Sequence, residues 1–207
     1  TRTTTTRYYG DTNLDGALTL NQPFSAGGKF NATAFHAPDI GTGLVLGHFA
    51  AGGVGQVGIV FNNDAANLYW RAYIRLNDGT DVNTLANVIG ANVARTWDYT
   101  WDPAGGTQGG GLLSVTVSGP GGGTQTIDLN PAQRALGSTV DAFGLSSRPA
   151  VSSNSSQFVD LVIDDVSYAA VPEPSTLALL GVAALAGIQG CRARRRLSKS
   201  GGPGSCG

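Results

Sequence analysis

The sequence predicts an all-β body, a two-sheet antiparallel jelly-roll sandwich, followed by a single C-terminal transmembrane helix. Three observations carry this. Residues 68–76 alternate strictly, with Leu68, Trp70, Ala72, Ile74 and Leu76 on one face and Tyr69, Arg71, Tyr73 and Arg75 on the other. That period of two is the mark of a strand with one face in a core. The 31 glycines punctuate many short runs rich in Val, Ile, Thr and aromatics, which favours strands joined by tight turns. A short apolar stretch near the end, 176–188, has no polar stripe and is followed by clustered arginines.

Taken in order, residues 28–35, 44–49, 56–61, 68–76, 95–101, 112–117, 124–129, 142–145 and 157–168 read as strands. Asn77-Asp-Gly-Thr80 is a turn signal, and Gly119-Pro-Gly-Gly-Gly123 reads as the loop of a hairpin between 112–117 and 124–129. Residues 131–137 suit a single helical turn. Many strands at short spacing with Gly-rich turns imply two packed sheets. The expected organisation is an N-terminal segment (1–27), a sandwich domain (28–170), a sorting and anchoring signal (171–196) and a basic, Gly-rich tail (197–207).

Charge divides the chain. Up to residue 171 there are 13 Asp and no Glu against eight Arg and Lys, a balance of −5; beyond it Glu173 stands against five cations, a balance of +4. A mildly acidic body argues against nucleic acid as a partner. Both cysteines, Cys191 and Cys206, lie in the basic tail, so the body has neither a disulfide nor a Cys-ligated metal. The chain begins at Thr1 without Met, and an export signal is expected ahead of it.

The tail has a three-part order: Pro172-Glu-Pro174, the apolar run, then Arg192, Arg194, Arg195 and Arg196. The prolines hold their segment extended, and the arginines stay on the cytoplasmic side by the positive-inside rule. This order resembles the PEP-CTERM sorting signal of bacteria. The resemblance implies export, transient anchoring in the inner membrane, recognition by an exosortase at Pro172, Glu173 and Pro174, and delivery to the cell surface or beyond. The body resembles the lectin- and glucanase-like jelly rolls often found ahead of such signals. That likeness rests on Trp97-Asp-Tyr-Thr-Trp-Asp-Pro103, Phe143-Gly-Leu145 and Val162-Ile-Asp-Asp-Val-Ser-Tyr168, and it implies a tendency to bind carbohydrate.

Two candidate chemistries follow. Asp11, Asn13, Asp15 and Gly16 match the first half of a Ca²⁺ loop, although Gln22 stands where a bidentate carboxylate is expected; the other reading is a hairpin at 14–17. Asp164 and Asp165 on the last strand add acids, one of which would face the core and need a partner such as structural Ca²⁺. For sugar contact the candidates are Tyr69, Arg71, Tyr73 and Arg75, and also Trp97 and Trp101, which share a face that is either a stacking platform or core. His36 and His48 are isolated and expected at the surface or in loops. A glycosidase on this fold needs paired carboxylates, typically Glu, and the body has none. No nucleophile elbow, zinc-binding helix or phosphate loop is present. The reading is therefore an exported surface or matrix protein with a non-catalytic carbohydrate-binding body. The alternative is a structural exopolysaccharide or biofilm matrix component without a specific ligand, with a glycoside hydrolase-like enzyme behind it.

Overall fold

Alternating inward residues on two sets of strands close a single core. The computed structural model describes residues 7–12, 14, 16–36, 43–64, 67–148 and 158–170. The chain divides into the units Thr1–Val171 and Pro172–Gly207, and all described residues belong to the first. The predicted spanning helix lies outside the described residues. Among these, no helix is long and apolar enough to cross a membrane.

The strands are β1 (Arg7–Asp11), β2 (Leu18–Thr19), β3 (Phe24–His36), β4 (Leu44–Phe49), β5 (Gln56–Asn63), β6 (Leu68–Arg75), β7 (Asp81–Asn83), β8 (Asn87–Ile89), β9 (Arg95–Asp102), β10 (Leu112–Val117), β11 (Gly123–Asp128), β12 (Thr139–Val140), β13 (Ala142–Ser147) and β14 (Phe158–Ala170). One sheet of seven strands runs β1-β13-β4-β5-β6-β7, with β8 also paired to β6; a second of five runs β11-β10-β9-β3-β14. The pairings are antiparallel, and the expected two-sheet sandwich is what forms. The one helix, α1 (Pro131–Leu136), starts as its residues dictate. Pro131 opens it, and Asn130 and Gln133 cap it reciprocally, side chain to backbone, at 2.9 and 3.0 Å.

Between the sheets, Trp97, Tyr99 and Trp101 of β9 meet Phe61, Trp70, Ile74 and Phe143 of the larger sheet. Phe30 packs on Phe61 with ring centroids 5.0 Å apart, edge to face. The buried indoles of Trp101 and Trp70 donate to the carbonyls of Leu20 and Gly121 at 2.9 and 3.0 Å.

The described residues ahead of 28 take part in the sandwich. β1 joins the larger sheet beside β13, and Leu18, Leu20 and Phe24 sit in the core. The hairpin reading of 14–17 does not hold, because β1 pairs with β13 and β2 pairs with β12. Strands β1, β2, β7, β8 and β12 escape sequence reading because they are two to five residues long and carry little alternation.

The larger sheet bends sharply away from the core. Gly144, Gly47 and Gly58 lie opposite one another on β13, β4 and β5, followed by Tyr73 on β6. These glycines have φ of 147°, 157° and 152°, a region L residues rarely adopt. A Cβ on Gly47 would stand 2.2 Å from the Val57 carbonyl oxygen, and one on Gly58 2.4 Å from that of Leu46. The curvature shows in what meets across this rung. Asp81 and Arg148 lie at opposite ends of the sheet, four strands apart in register. In a flat sheet their α-carbons would be more than about 25 Å apart. Yet Arg148 Nε donates to Asp81 Oδ2 at 2.9 Å, a contact that two such side chains reach over only about 14 Å. Gln56 Nε2 likewise crosses the rung to Ser146 Oγ at 2.9 Å and to the Ser147 carbonyl at 3.0 Å. The face opposite the core is therefore concave, and it encloses a small second cluster of Val45, Val60 and Tyr73.

Gly47→Ala or Gly58→Ala should destabilise the body by about 3 kcal/mol or more, through positive φ and contact with backbone that cannot yield. Urea unfolding midpoints read this. Gly52→Ala, where an added Cβ meets nothing within 4 Å, should stay within about 0.5 kcal/mol of the parent.

Candidate functional site

The concave face gathers polar side chains because β6 alternates. Leu68, Trp70, Ala72 and Ile74 turn to the core, which leaves Tyr69, Arg71, Tyr73 and Arg75 on the other side. Asp81 and Asn83 of β7 lie beside Arg75 and Tyr73 in register. Asp81 collects three donors: the Tyr73 hydroxyl at 2.7 Å, Arg75 Nη1 at 2.6 Å, and Arg148. Burial pushes the Asp81 carboxyl up, but the bonds from Tyr73 and Arg148 outweigh it and hold the group below its ordinary range. Burial first, and then the bond to Asp81, push the Tyr73 phenol up. The Arg148 guanidinium lies 5.8 Å from the centre of the Tyr73 ring.

Arg71 differs from its neighbours. Its Nη1 donates to Asn83 Oδ1 at 3.2 Å, and it has no carboxylate partner among the described residues. The half-buried Tyr69 beside it donates to the Asp64 carboxylate. Among the described residues, seven buried side-chain polar atoms lack a hydrogen-bond partner, and three of them are on this face: Gln56 Oε1, Arg71 Nε and Arg75 Nε. Buried donors and acceptors are normally satisfied, by protein groups or by ordered water, so these three call for a partner.

The predicted sugar contacts therefore divide. Tyr69, Arg71 and Arg75 lie together on the concave face. Tyr73 is on that face but 0% exposed, sealed under Arg148, and offers no ring for stacking. Trp97 and Trp101 are core, at 2% and 1% exposure, because the inward set of β9 packs against the larger sheet; the platform reading of these two is corrected. The sequence reading also missed Gln56, Asp81, Asn83 and Arg148, which only register and curvature bring to the site.

His48 is not a surface residue. It shares the inward face of β4 with Leu44 and Leu46, and it is fully buried. The Tyr99 hydroxyl accepts from the His48 backbone N–H at 3.1 Å and lies 2.6 Å from Nδ1. Nε2, on the other side of the ring, has no hydrogen-bond partner among the described residues. Phe24, Phe143 and Tyr168 surround the imidazole, with centroids 5.0, 5.0 and 6.2 Å away.

Among the described residues, the acids named for calcium do not come together. Asn13 and Asp15 lie outside the described residues. Asp11 accepts from the Tyr168 hydroxyl, and Gln22 Oε1, at the twelfth position of the would-be loop, accepts from the Thr19 N–H at 3.1 Å. Asp164 and Asp165 both face solvent, because β14 bulges between Asp164 and Ser167 and Asp165 turns to φ 51°. Asp165 pairs with Lys29. The expectation that one of the two is buried and needs a cation is thereby overturned. Among the described residues no three His, Cys, Asp or Glu side chains converge on a metal position. The side chains described do not fit a calcium site.

Fold and site together define an antiparallel β-sandwich module with a polar concave face. The chain also carries a sorting signal: residues 170–196 match the PEP-CTERM protein-sorting motif, which indicates export and sorting by an exosortase. No curated protein matches the chain in sequence. Among solved structures it is similar to alginate lyase A1-II′ of polysaccharide lyase family 7, at 12% identity, over 80% of this chain and 84% of that one, with a TM-score of 0.47. It is also similar to the binding domain of botulinum neurotoxin serotype C1, at 11% identity, over 72% and 33% of the two chains, TM-score 0.44. A third is the CBM2 module of the evolved Dit of Lactobacillus casei BL23 phage J-1, at 10% identity, over 70% and 63%, TM-score 0.36. None is close enough to lend this chain a ligand or an activity.

Two outcomes follow. Burial lowers the His48 pKa from 6.5 to about 4, so between those values the unfolded chain binds a proton that the folded body does not. Stability should be full above pH 6.5 and fall by about 3 kcal/mol as the pH drops toward 4. Urea unfolding at intervals from pH 7 to pH 4 measures this, and His48→Phe should flatten the slope in that window. EDTA should leave the melting temperature of the body unchanged, since a ligand bound only to the folded state would raise it.

Proposed function

We propose that this is an exported surface protein whose body is a non-catalytic polysaccharide-binding module. The observation that carries the reading is the concave face of the seven-stranded sheet, where Tyr69, Arg71 and Asn83 stand at the accessible rim and unsatisfied Arg donors lie behind them. Ligand sites are concave and combine apolar or aromatic surface with a few fixed polar groups, and this face has both. A non-catalytic role agrees with the lack of Glu in the body. Beside this face the described carboxylates are Asp81, committed to two arginines and a tyrosine, Asp78 in the turn next to Arg75, which accepts from Thr80, and Asp64 at the rim, which accepts from Tyr69. The PEP-CTERM motif supports delivery to the outside of the cell, where such a module would meet polysaccharide. In that delivery the apolar run 176–188 would anchor the precursor in the inner membrane, with Arg192, Arg194, Arg195 and Arg196 on the inner side.

A glycan array probed with the chain ending at Ala170 tests the reading, since the core closes within that unit. Binding is expected, with a loss of about tenfold or more in a Tyr69→Ala/Arg71→Ala double variant. Binding that survives the double change would move the site off this face. No binding to any glycan would leave a matrix component without a specific ligand.

A further inference from the structure

Resting on the polysaccharide-binding reading above, we infer that the polymer recognised on this face is a carboxylated one, held through the guanidinium of Arg71.

The distribution of charge comes first. The body has a balance of −5 up to residue 171, yet half of its described cations gather on the concave face. Six cationic side chains of the body fall among residues whose surroundings are described: Lys29, Arg71, Arg75, Arg95, Arg134 and Arg148. Three have structural duties elsewhere. Lys29 pairs with Asp165; Arg95 donates to the carbonyls of Gly90, Val93 and Pro120; Arg134 donates to those of Pro103 and Gly110 and lies over Trp101. The other three, Arg71, Arg75 and Arg148, crowd one sheet face: Arg75 and Arg148 share Asp81, Asp78 lies within electrostatic reach of Arg75, and Asp64 at the rim accepts from Tyr69. Arg71 is the one of the three without a carboxylate partner among the described residues.

The shape of the donors comes next. This face already binds one carboxylate of its own. Arg75, Arg148 and the Tyr73 hydroxyl converge on Asp81, so two guanidiniums and a phenol form its bed. Arg71, two residues from Tyr69 and two from Tyr73 on the same side of β6, has the same kind of surroundings and no such partner. Only its Nη1 is engaged, by the neutral Asn83, and its buried Nε–H points at no acceptor. A planar guanidinium with its Nε edge unfilled is the donor fork that a carboxylate fits with two parallel hydrogen bonds. Leaving that donor buried and unpaired is costly, and a turn of the Arg71 side chain toward an incoming carboxylate would remove the cost. Tyr69 at the rim gives the adjoining sugar ring a half-exposed aromatic surface.

The test uses the chain ending at Ala170, which keeps the basic tail out of the measurement. The probes are oligogalacturonate, the same oligomer with its carboxyls methyl-esterified, and a neutral β-glucan of similar length. The acid form should bind at least tenfold more tightly than its ester and weaken as NaCl is added. Arg71→Gln should lose about tenfold for the acid and change little for the ester, while Lys29→Gln, which removes a cation from the other sheet, should bind as the parent does. Thermal melting confirms that each variant is folded. Equal affinity for acid and ester, or binding of the neutral glucan alone, overturns the carboxylate inference and leaves the polysaccharide-binding reading in place. Equal losses in Arg71→Gln and Lys29→Gln also overturn it, because attraction is then to net charge and not to this fork. No binding to any of the three, together with an empty glycan array, ends both.

Discussion

The rung of glycines across β13, β4 and β5 is the constraint on which the site depends. Side chains at Gly47 and Gly58 would collide with neighbouring carbonyls, and Gly144 shares their positive φ. Without them the sheet curls, and residues that sequence and register place far apart come within hydrogen-bonding distance. Gln56 reaches Ser146, and Arg148 reaches Asp81. Glycine in a strand gives up roughly 0.5–1 kcal/mol relative to Ala in ordinary backbone. Here the ties across the bend and the Val45, Val60 and Tyr73 cluster offset that loss. A flat sheet would present Tyr69, Arg71, Tyr73 and Arg75 as an ordinary polar outer face.

The two sheets thus serve different purposes. The five-stranded sheet turns Thr96, Asp98, Thr100 and Asp102 to solvent and its aromatics inward, so it is a wall of the core. The larger sheet is packed on both sides: its inner face against Trp97, Tyr99 and Trp101, its outer face around Tyr73. Packing on both sides holds β6 in place, and a fixed β6 fixes the direction of Arg71. A binding face on rigid strands loses little entropy when a ligand arrives. The buried His48, held by Tyr99 and ringed by Phe24, Phe143 and Tyr168, belongs to the same support, since β4 lies two strands from β6.

Much of the fold is legible in the residues. The alternation of 68–76 and of 95–101 identifies two strands and their faces, and nine of the strands fall where periodicity and turn residues put them. The sorting motif is legible because its three parts occur in order. The site is legible only in part. Tyr69, Arg71 and Arg75 are visible as the polar face of β6, but nothing local to β6 says which way the sheet curves. That information is in Gly47, Gly58 and Gly144, which align only once register is known. Trp97 and Trp101 show the opposite ambiguity: one face of aromatics reads the same whether it meets sugar or core, and only the partner sheet decides. For the half-match to a calcium loop, Asn13 and Asp15 lie outside the described residues, while Asp11 and Gln22 bond to Tyr168 and Thr19, neighbours that sequence does not reveal.

A polysaccharide bound to the concave face of the seven-stranded sheet would perturb that face and leave the other sheet untouched. Backbone amide NMR of the chain ending at Ala170, titrated with oligogalacturonate, measures this directly. Shifts should trace 56–62, 69–75 and 81–83, strongest near Arg71, with the amides of Thr96, Asp98 and Thr100 on the opposite sheet unmoved. Shifts confined to that opposite sheet would contradict binding at the concave face.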